Sequence, residues 1–496
     1  MSNLSRCVRL HAERSPDRTA LVYEGARTSY ASLWDRICRL AGWLQTQGIG
    51  KGDAVAAVMK NSSTFIELSL AVSHLGGLFV PVNYRLSADE IDYILADSGA
   101  KLLFCDDDFS GLPLSFEAVR LVGPAAQKDS SQLGAASPER LEYVEPGEVF
   151  RIMYTSGTTD RPKGVMHTYA NWYAKSADQI MALQLNSDSR LLVAGPLYHV
   201  GAYDFPGVAV LWAGGTLCIQ REFDATTAFQ LIHRERLNCA WFAPVMTTLM
   251  LSSEARGHYD LSSLEWSLGG GERTPETLIQ RYSETFPRAR YIDAYGLTET
   301  CGGDTLMEPG REIEKIGSTG RPIALVDLEI RDEDGQTLPA GETGEICLRG
   351  PKITPGYWRA PEKTAASFWG KWLRTGDVGH VDADGFLFIT DRKKDMIISG
   401  GENIASLEIE RALTEHAAVK EAAVIAVPNA QWGERPMAFV VLHDGRNAEP
   451  ADLLEHCRAR LGGFKVPDAV NVRSTLPRSA SGKVLKRLLR EEYERK

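Results

Sequence analysis

Tyr154-Thr155-Ser156-Gly157-Thr158-Thr159-Asp160-Arg161-Pro162-Lys163-Gly164 follows a short apolar run, Val149-Phe150-Arg151-Ile152-Met153. The run reads as a strand. Glycines and small hydroxyl residues then crowd into one turn that ends in a lysine. Such a loop can turn its backbone N–H groups and hydroxyls onto phosphate oxygens, with Lys163 as a point charge. The same cluster also suits a plain polar surface turn. It does not fit a Walker loop, which needs Ser or Thr directly after the lysine; here Gly164 follows Lys163.

Around this stretch lie 496 residues, 44% hydrophobic and 24% charged, an ordinary soluble composition spread over two to four domains or subdomains. A net charge of -10 argues against a general nucleic-acid binder. The eight cysteines are scattered with no CxxC pair, as expected of reduced thiols in the cytoplasm. Residues 1–20 lack a signal-peptide apolar core, and no apolar run reaches the ~18 residues of a membrane span. Peripheral membrane contact and a homodimer are compatible with this composition.

Upstream, the pattern predicts a helix within 28–48, a strand at Ala54–Val58, a helix at Phe65–Leu75, and strands at Leu78–Val82 and Lys101–Cys105. Ser87-Ala88-Asp89-Glu90 reads as a capping box. Downstream, Leu191–Ala194 leads into Gly195-Pro196-Leu197-Tyr198-His199-Val200-Gly201, and strands at Thr216–Ile219, Cys239–Phe242 and Trp266–Leu268 follow. The last ends in Gly269-Gly270-Gly271-Glu272-Arg273, where bare glycines would let a flat ring approach the backbone. In Asp293-Ala294-Tyr295-Gly296-Leu297-Thr298-Glu299-Thr300, Tyr295 can stack on a base, Thr298 can donate to a phosphate oxygen, and Glu299 can hold Mg²⁺. Residues 310–390 carry short strands and frequent turns and read as a small β-barrel-like subdomain. Residues 395–496 alternate helix and strand in a compact tail that closes on Ser481-Gly482-Lys483.

Taken in order, these motifs resemble the adenylate-forming superfamily of acyl-CoA synthetases, luciferases and peptide-synthetase adenylation domains. The resemblance covers essentially the whole chain. It implies an α/β fold: a large N-terminal domain, 1–393, made of two doubly wound βα subdomains and a small β-barrel-like subdomain, then a mobile α+β C-terminal domain, 394–496, hinged at Lys394. It implies ATP, Mg²⁺ and CoA as co-substrates and cofactor. By the same resemblance Thr155, Ser156, Gly157, Thr158, Thr159 and Lys163 cradle phosphates, and Gly270, Gly271, Glu272, Arg273, Asp293, Tyr295 and Gly296 also bind the nucleotide, with adenine on the glycine turn and on Tyr295. Thr298, Glu299, Lys163 and Lys483 carry the catalysis, with Glu299 on the metal, and Asp377 and Arg392 hold the ribose. Tyr198, His199, Val200, Ala202, Tyr203, Phe205, Trp241, Gly269 and Gly270 line the acyl pocket, and Arg85, Gly400, Gly401, Trp432 and Phe464 receive CoA.

Three departures from the usual motifs stand out: Asp160 and Asp391 stand where Gly is common, and Ala405-Ser406 where Tyr-Pro is usual. The expected reaction is activation of a carboxylic acid to acyl-AMP with pyrophosphate release, then transfer to CoA. The apolar, aromatic pocket points to a fatty or other bulky lipophilic acid, with an aromatic acid close behind. Asp204, between Tyr203 and Phe205, could bind a substrate amine, although the usual Ser of that motif is missing. The alternatives are a non-CoA adenylating enzyme, a non-catalytic adenylate-binding regulator, which would not need both Lys163 and Lys483, and a kinase-like phosphotransferase, which would release ADP.

Overall fold

A computed structural model describes residues 3–116, 119–120, 142–155, 162–270, 274–399, 402–429, 431–478 and 484–495. It divides into two compact units, Met1–Asp327 with Leu348–Leu373, and Leu328–Cys347 with Arg374–Lys496.

The first unit is built on two sheets. In the six-stranded one the order is Val119–Arg120, Ala100–Cys105, Ala54–Val58, Leu78–Val82, Val149–Thr155 and Lys163–Thr168. The pairs are parallel except the last, which is an antiparallel hairpin with Thr155 opposite Lys163. Ala54–Val58 and Leu78–Val82 are buried at every position, as parallel strands covered on both faces must be. The intervening helix Ser63–His74 is capped by the Ser62 hydroxyl, which accepts from Phe65 N–H. The helix Ala88–Ser98 opens on the expected box, with Ser87 and Glu90 each accepting the other's backbone N–H, and closes on Gly99 in the left-handed region at φ 69°.

The nine-stranded sheet runs Arg321–Pro322, Thr305–Leu306, Arg290–Tyr295, Trp266–Gly270, Cys239–Phe242, Arg190–Val193, Thr216–Ile219, Thr19–Tyr23 and Ala26–Ser29. Its middle six strands are parallel, so their C-terminal ends lie on one edge. Ligand sites in open α/β sheets form at that edge.

In the second unit Asp377–Val381 pairs with Leu387–Arg392. A further sheet orders Glu402–Ile404, Ile397–Ser399, Gly433–Leu442 and Val419–Asn429, with Ala469–Arg473 added in parallel to Gly433–Leu442. Helices Ser406–Thr414 and Pro450–Arg458 bury Ile409, Leu413, Leu453 and Cys457 against one face. Leu489 of the helix Lys486–Glu494 covers the other. The fold is therefore mixed α/β with a small α+β C-terminal part, as expected. Among the described residues no helix is long and apolar enough to cross a membrane.

Candidate functional site

Residues 156–161, 271–273, 400–401 and 479–483 lie outside the described residues, and with them Ser156, Gly157, Thr158, Thr159, Gly271, Glu272, Arg273, Gly400, Gly401 and Lys483. The segments that flank them are defined. Thr155 ends its strand directly opposite Lys163. Thr155 Oγ1 is buried with no hydrogen-bond partner among the described residues. Such an orphan calls for a ligand oxygen or water.

Lys163 Nζ donates to Tyr357 Oη at 2.8 Å and sits 4.0 Å from that ring's centre. Tyr357 in turn donates to Glu299 Oε1 at 2.8 Å, and Lys163 Nζ is 3.5 Å from the same oxygen. Burial, then the Glu299 carboxylate, raises the Tyr357 phenol well above its ordinary pKa, so it stays a donor. Three residues from distant segments thus meet, two of them foreseen. Tyr357 was missed; its signal was an aromatic directly after a glycine in Pro355-Gly356-Tyr357. A Mg²⁺ carried on a triphosphate needs only one or two protein carboxylates, and Glu299 fits that demand.

Thr298 and Glu299 form a single 3-10 turn, Thr298–Thr300, just past the strand Arg290–Tyr295. It is fixed from below by two buried ionic assemblies. In one, Lys352 pairs with Asp304 at 3.0 Å and donates to the Gly303 carbonyl, while Thr300 Oγ1 donates to Asp304 at 2.5 Å. In the other, Arg151 donates to both Asp204 oxygens at 2.8 and 2.5 Å and to His167 Nδ1 at 2.8 Å. The His167 ring reaches the Thr298 carbonyl at 2.7 Å through Nε2. Lys175 Nζ donates to the Asp204 carbonyl at 2.5 Å. Burial would raise the Asp204 carboxyl, but Arg151 and Lys175 override it and hold the pKa below the usual value. Asp204 is therefore not free to take a substrate amine. The sign in the sequence was Arg151 itself, a charge inside an apolar strand.

Tyr198, Val200, Ala202, Tyr203, Phe205 and Trp241 are buried. His199 Nδ1 accepts from Gly201 N–H at 3.1 Å. The six-membered ring of Trp241 fills the space in front of Gly195 and Gly201: a Cβ on either would lie 2.5 or 2.4 Å from it. Gly269 is equally obligatory, since a Cβ there would lie 2.0 Å from Tyr291 Oη. Asp293 is buried and its Oδ1 accepts from Ala294 N–H (3.0 Å) and Thr274 Oγ1 (3.2 Å). Tyr295 ends its strand, Gly296 follows it, and Gly270 pairs with Ala294. Arg85 lies 5.5 Å from the Tyr84 ring centre, and Tyr84 packs edge-on to Tyr198.

In the second unit Asp377 and Arg392 are register partners on adjacent strands, 3.4 Å apart at Oδ1 and Nε. Trp432 and Phe464 are 48% and 45% exposed, unusual for large rings. Arg435 ties their two turns together. It donates to Phe464 O (2.5 Å) and Val466 O (2.9 Å) and pairs with Asp468. Asp391 serves as a helix cap, since its buried carboxylate accepts from Ser406 N–H at 2.5 Å at the start of Ser406–Thr414. Ser406 Oγ accepts from Lys486 Nζ at 2.6 Å. Two apparent departures from the motif are thus one interaction.

The family model for AMP-binding enzymes matches residues 8–358, and that for the AMP-binding enzyme C-terminal domain matches 408–483. The chain is 37% identical to a feruloyl-CoA synthase of Amycolatopsis over 97% of both chains. It is 35% identical to a long-chain-fatty-acid–CoA ligase of Mycobacterium tuberculosis over 99% of both. The structure of O-succinylbenzoate–CoA synthetase from Bacillus subtilis, in complex with ATP and magnesium, superimposes with a TM-score of 0.87 at 30% identity, covering 99% of this chain and 99% of that one. With motifs, fold and full-length relatives in agreement, the chain belongs to the AMP-binding enzyme family, among its AMP-forming acid–CoA ligases.

Proposed function

We propose that this ligase activates a compact aryl carboxylic acid. The observation that carries the reading is the Trp241 indole, seated on Gly195 and Gly201 within the acyl-pocket segments. A ring that fills the space two glycines leave open shortens the pocket and offers a flat wall, which suits a planar acid better than a long flexible chain. Two of the relatives above take aryl acids by name. The fatty-acid reading draws support from the mycobacterial relative.

The chemistry runs in two halves. A carboxylate oxygen of the acid attacks the α-phosphorus of ATP, the bond to pyrophosphate breaks, and an acyl-AMP anhydride forms. The CoA thiolate then attacks the acyl carbon, and AMP leaves. Charge accumulates around phosphorus in the first half, so catalysis is mostly positioning and electrostatic stabilisation. In this reading the stretch 155–163, Thr298 and Lys483 supply donors and positive charge. Bound Mg²⁺ would be held by Glu299 and would neutralise phosphate charge. The adenine lies against Gly269–Arg273 and Tyr295, and the ribose hydroxyls on Asp377 with Arg392. Glu299, which now accepts from Tyr357, would be the carboxylate that holds the metal, and Lys163, which now donates to Tyr357, is the charge available to phosphate. Trp432 and Phe464 flank the CoA adenine, Arg85 meets a CoA phosphate, and Gly400-Gly401 leave room for the pantetheine arm. Residues 394–496 turn about Lys394 between the halves, a gating motion.

The test is pyrophosphate release across an acid panel, with and without CoA. Aryl acids such as benzoates and cinnamates should turn over best, with AMP and acyl-CoA as products. Preference for acids of twelve or more carbons would reject the aryl assignment and favour the fatty one.

A further inference from the structure

Arg151 and His167 are cross-strand neighbours on the paired strands Val149–Thr155 and Lys163–Thr168. Arg151 holds Asp204, which sits between the pocket residues Tyr203 and Phe205. His167 holds the carbonyl of Thr298. All three side chains are buried. A guanidinium donates only, so His167 Nδ1 must accept, the ring proton must sit on Nε2, and that proton can go only to the Thr298 oxygen. The ring thus has one tautomer and one orientation. Cys301 N–H is the other donor to that oxygen, at 3.1 Å.

The geometry points to His167 as a positioning residue for adenylation: it sets the Thr298–Glu299 turn relative to the acyl pocket through Arg151 and Asp204. The inference rests on the reading of Thr298 and Glu299 as adenylation residues. It assigns to His167 no contact with substrate. A buried carbonyl held at 2.7 Å by a locked ring cannot drift without leaving polar groups unpaired, and misplacement by about 1 Å in such a turn can cost ~10²-fold in rate.

Two polar variants separate positioning from packing. In His167→Gln the amide oxygen and nitrogen are spaced like the two ring nitrogens and can serve Arg151 and Thr298 together. In His167→Asn the shorter side chain still accepts from Arg151 but does not reach Thr298. His167→Asn should lower kcat of acid-dependent ATP–pyrophosphate exchange about 10- to 100-fold, with KM for acid and ATP within about threefold. His167→Gln should stay within about threefold of the parent. Amide hydrogen exchange over residues 297–304, read without any activity, should quicken about tenfold in His167→Asn alone. Equal exchange kinetics in the two variants, or unchanged hydrogen exchange in His167→Asn, overturns the proposal. Glu299→Gln runs beside them. Full activity in Glu299→Gln would reject the underlying assignment of the turn, whereas its loss with an unaffected His167→Asn rejects only the role of His167.

Discussion

Trp241→Ala should lengthen the acid that this enzyme accepts. The indole occupies the volume before Gly195 and Gly201, with ring atoms 2.4–2.8 Å from where their Cβ atoms would be. Cutting it back to a methyl vacates roughly 130 Å³, room for about four or five methylenes, unless neighbours collapse into it. At ~0.8 kcal/mol per buried CH₂, a longer acid could gain up to about 3–4 kcal/mol. That is ~10²–10³ in kcat/KM relative to the parent, and partial collapse lowers it. Loss of a buried Trp costs about 3–5 kcal/mol of stability, so the assay is run at low temperature. Acid-dependent ATP–pyrophosphate exchange is measured for straight-chain acids of four to fourteen carbons against one aryl acid. The ratio of long-chain to aryl specificity should rise by at least about tenfold in Trp241→Ala. A chain-length profile parallel to that of the parent would show that the indole does not end the pocket, and the size argument would fall with it.

Lys483→Ala should lower acyl-AMP formation by ~10²–10³ while leaving transfer from prepared acyl-AMP to CoA near the parental rate; equal loss in both halves would refute the two-state assignment. Trp432→Ala should raise KM for CoA about tenfold, a stacking loss of about 1–2 kcal/mol, and leave pyrophosphate exchange unchanged. Acid should destabilise the fold through His167, whose pKa burial and the adjoining Arg151 push down from 6.5 to about 3, with Asp204 opposing. The unfolded ring binds a proton below about pH 6.5 and the folded one does not, so this stability is complete above pH 6.5 and declines toward pH 3. By linkage the loss is about 2 kcal/mol at pH 5. Urea midpoints at pH 7 and 5 should fall further apart in the parent than in His167→Gln.

Local features were readable because their causes are local. Ser87 and Glu90 cap one another across three residues, and the fully apolar runs Ala54–Val58 and Leu78–Val82 could only be buried strands. Helix ends moved by one or two residues, as at Phe65–Leu75 against Ser63–His74, because end turns depend on tertiary neighbours. The strand Thr19–Tyr23 went unseen since its partner, Thr216–Ile219, lies some two hundred residues on. Lys163 and Glu299 stood out as motif residues, but Tyr357, which joins them, lies outside every motif recognised in the sequence. Asp204 was noticed for its charge and misjudged in its partner, because a pairing with Arg151 across fifty-three positions leaves no periodic trace. Asp391 and Ser406 looked like two losses from a pattern; only their 2.5 Å contact makes them a cap.

The buried charges beneath the site are a poor way to gain stability. Desolvating Arg151 and Asp204 costs several kcal/mol per ion, and their attraction returns little beyond that. What the pair supplies instead is register, since each ion also joins a segment proposed to act in the reaction: Asp204 lies between Tyr203 and Phe205, and Arg151 reaches Thr298 through His167. Stability and activity should therefore respond differently to its removal. Asp204→Ala leaves the Arg151 and Lys175 charges buried without their carboxylate and should cost about 3–5 kcal/mol. Replacing both partners by apolar residues, Asp204→Leu with Arg151→Met, should recover at least about 2 kcal/mol of that, because the Arg151 charge is no longer stranded and Lys175 alone remains buried without the carboxylate. Acyl-AMP formation should stay depressed in the double variant despite the recovered fold, since neither leucine nor methionine can orient His167. Urea unfolding and pyrophosphate exchange on the same samples decide it. Activity returning together with stability would mean that the pair serves only to hold the core.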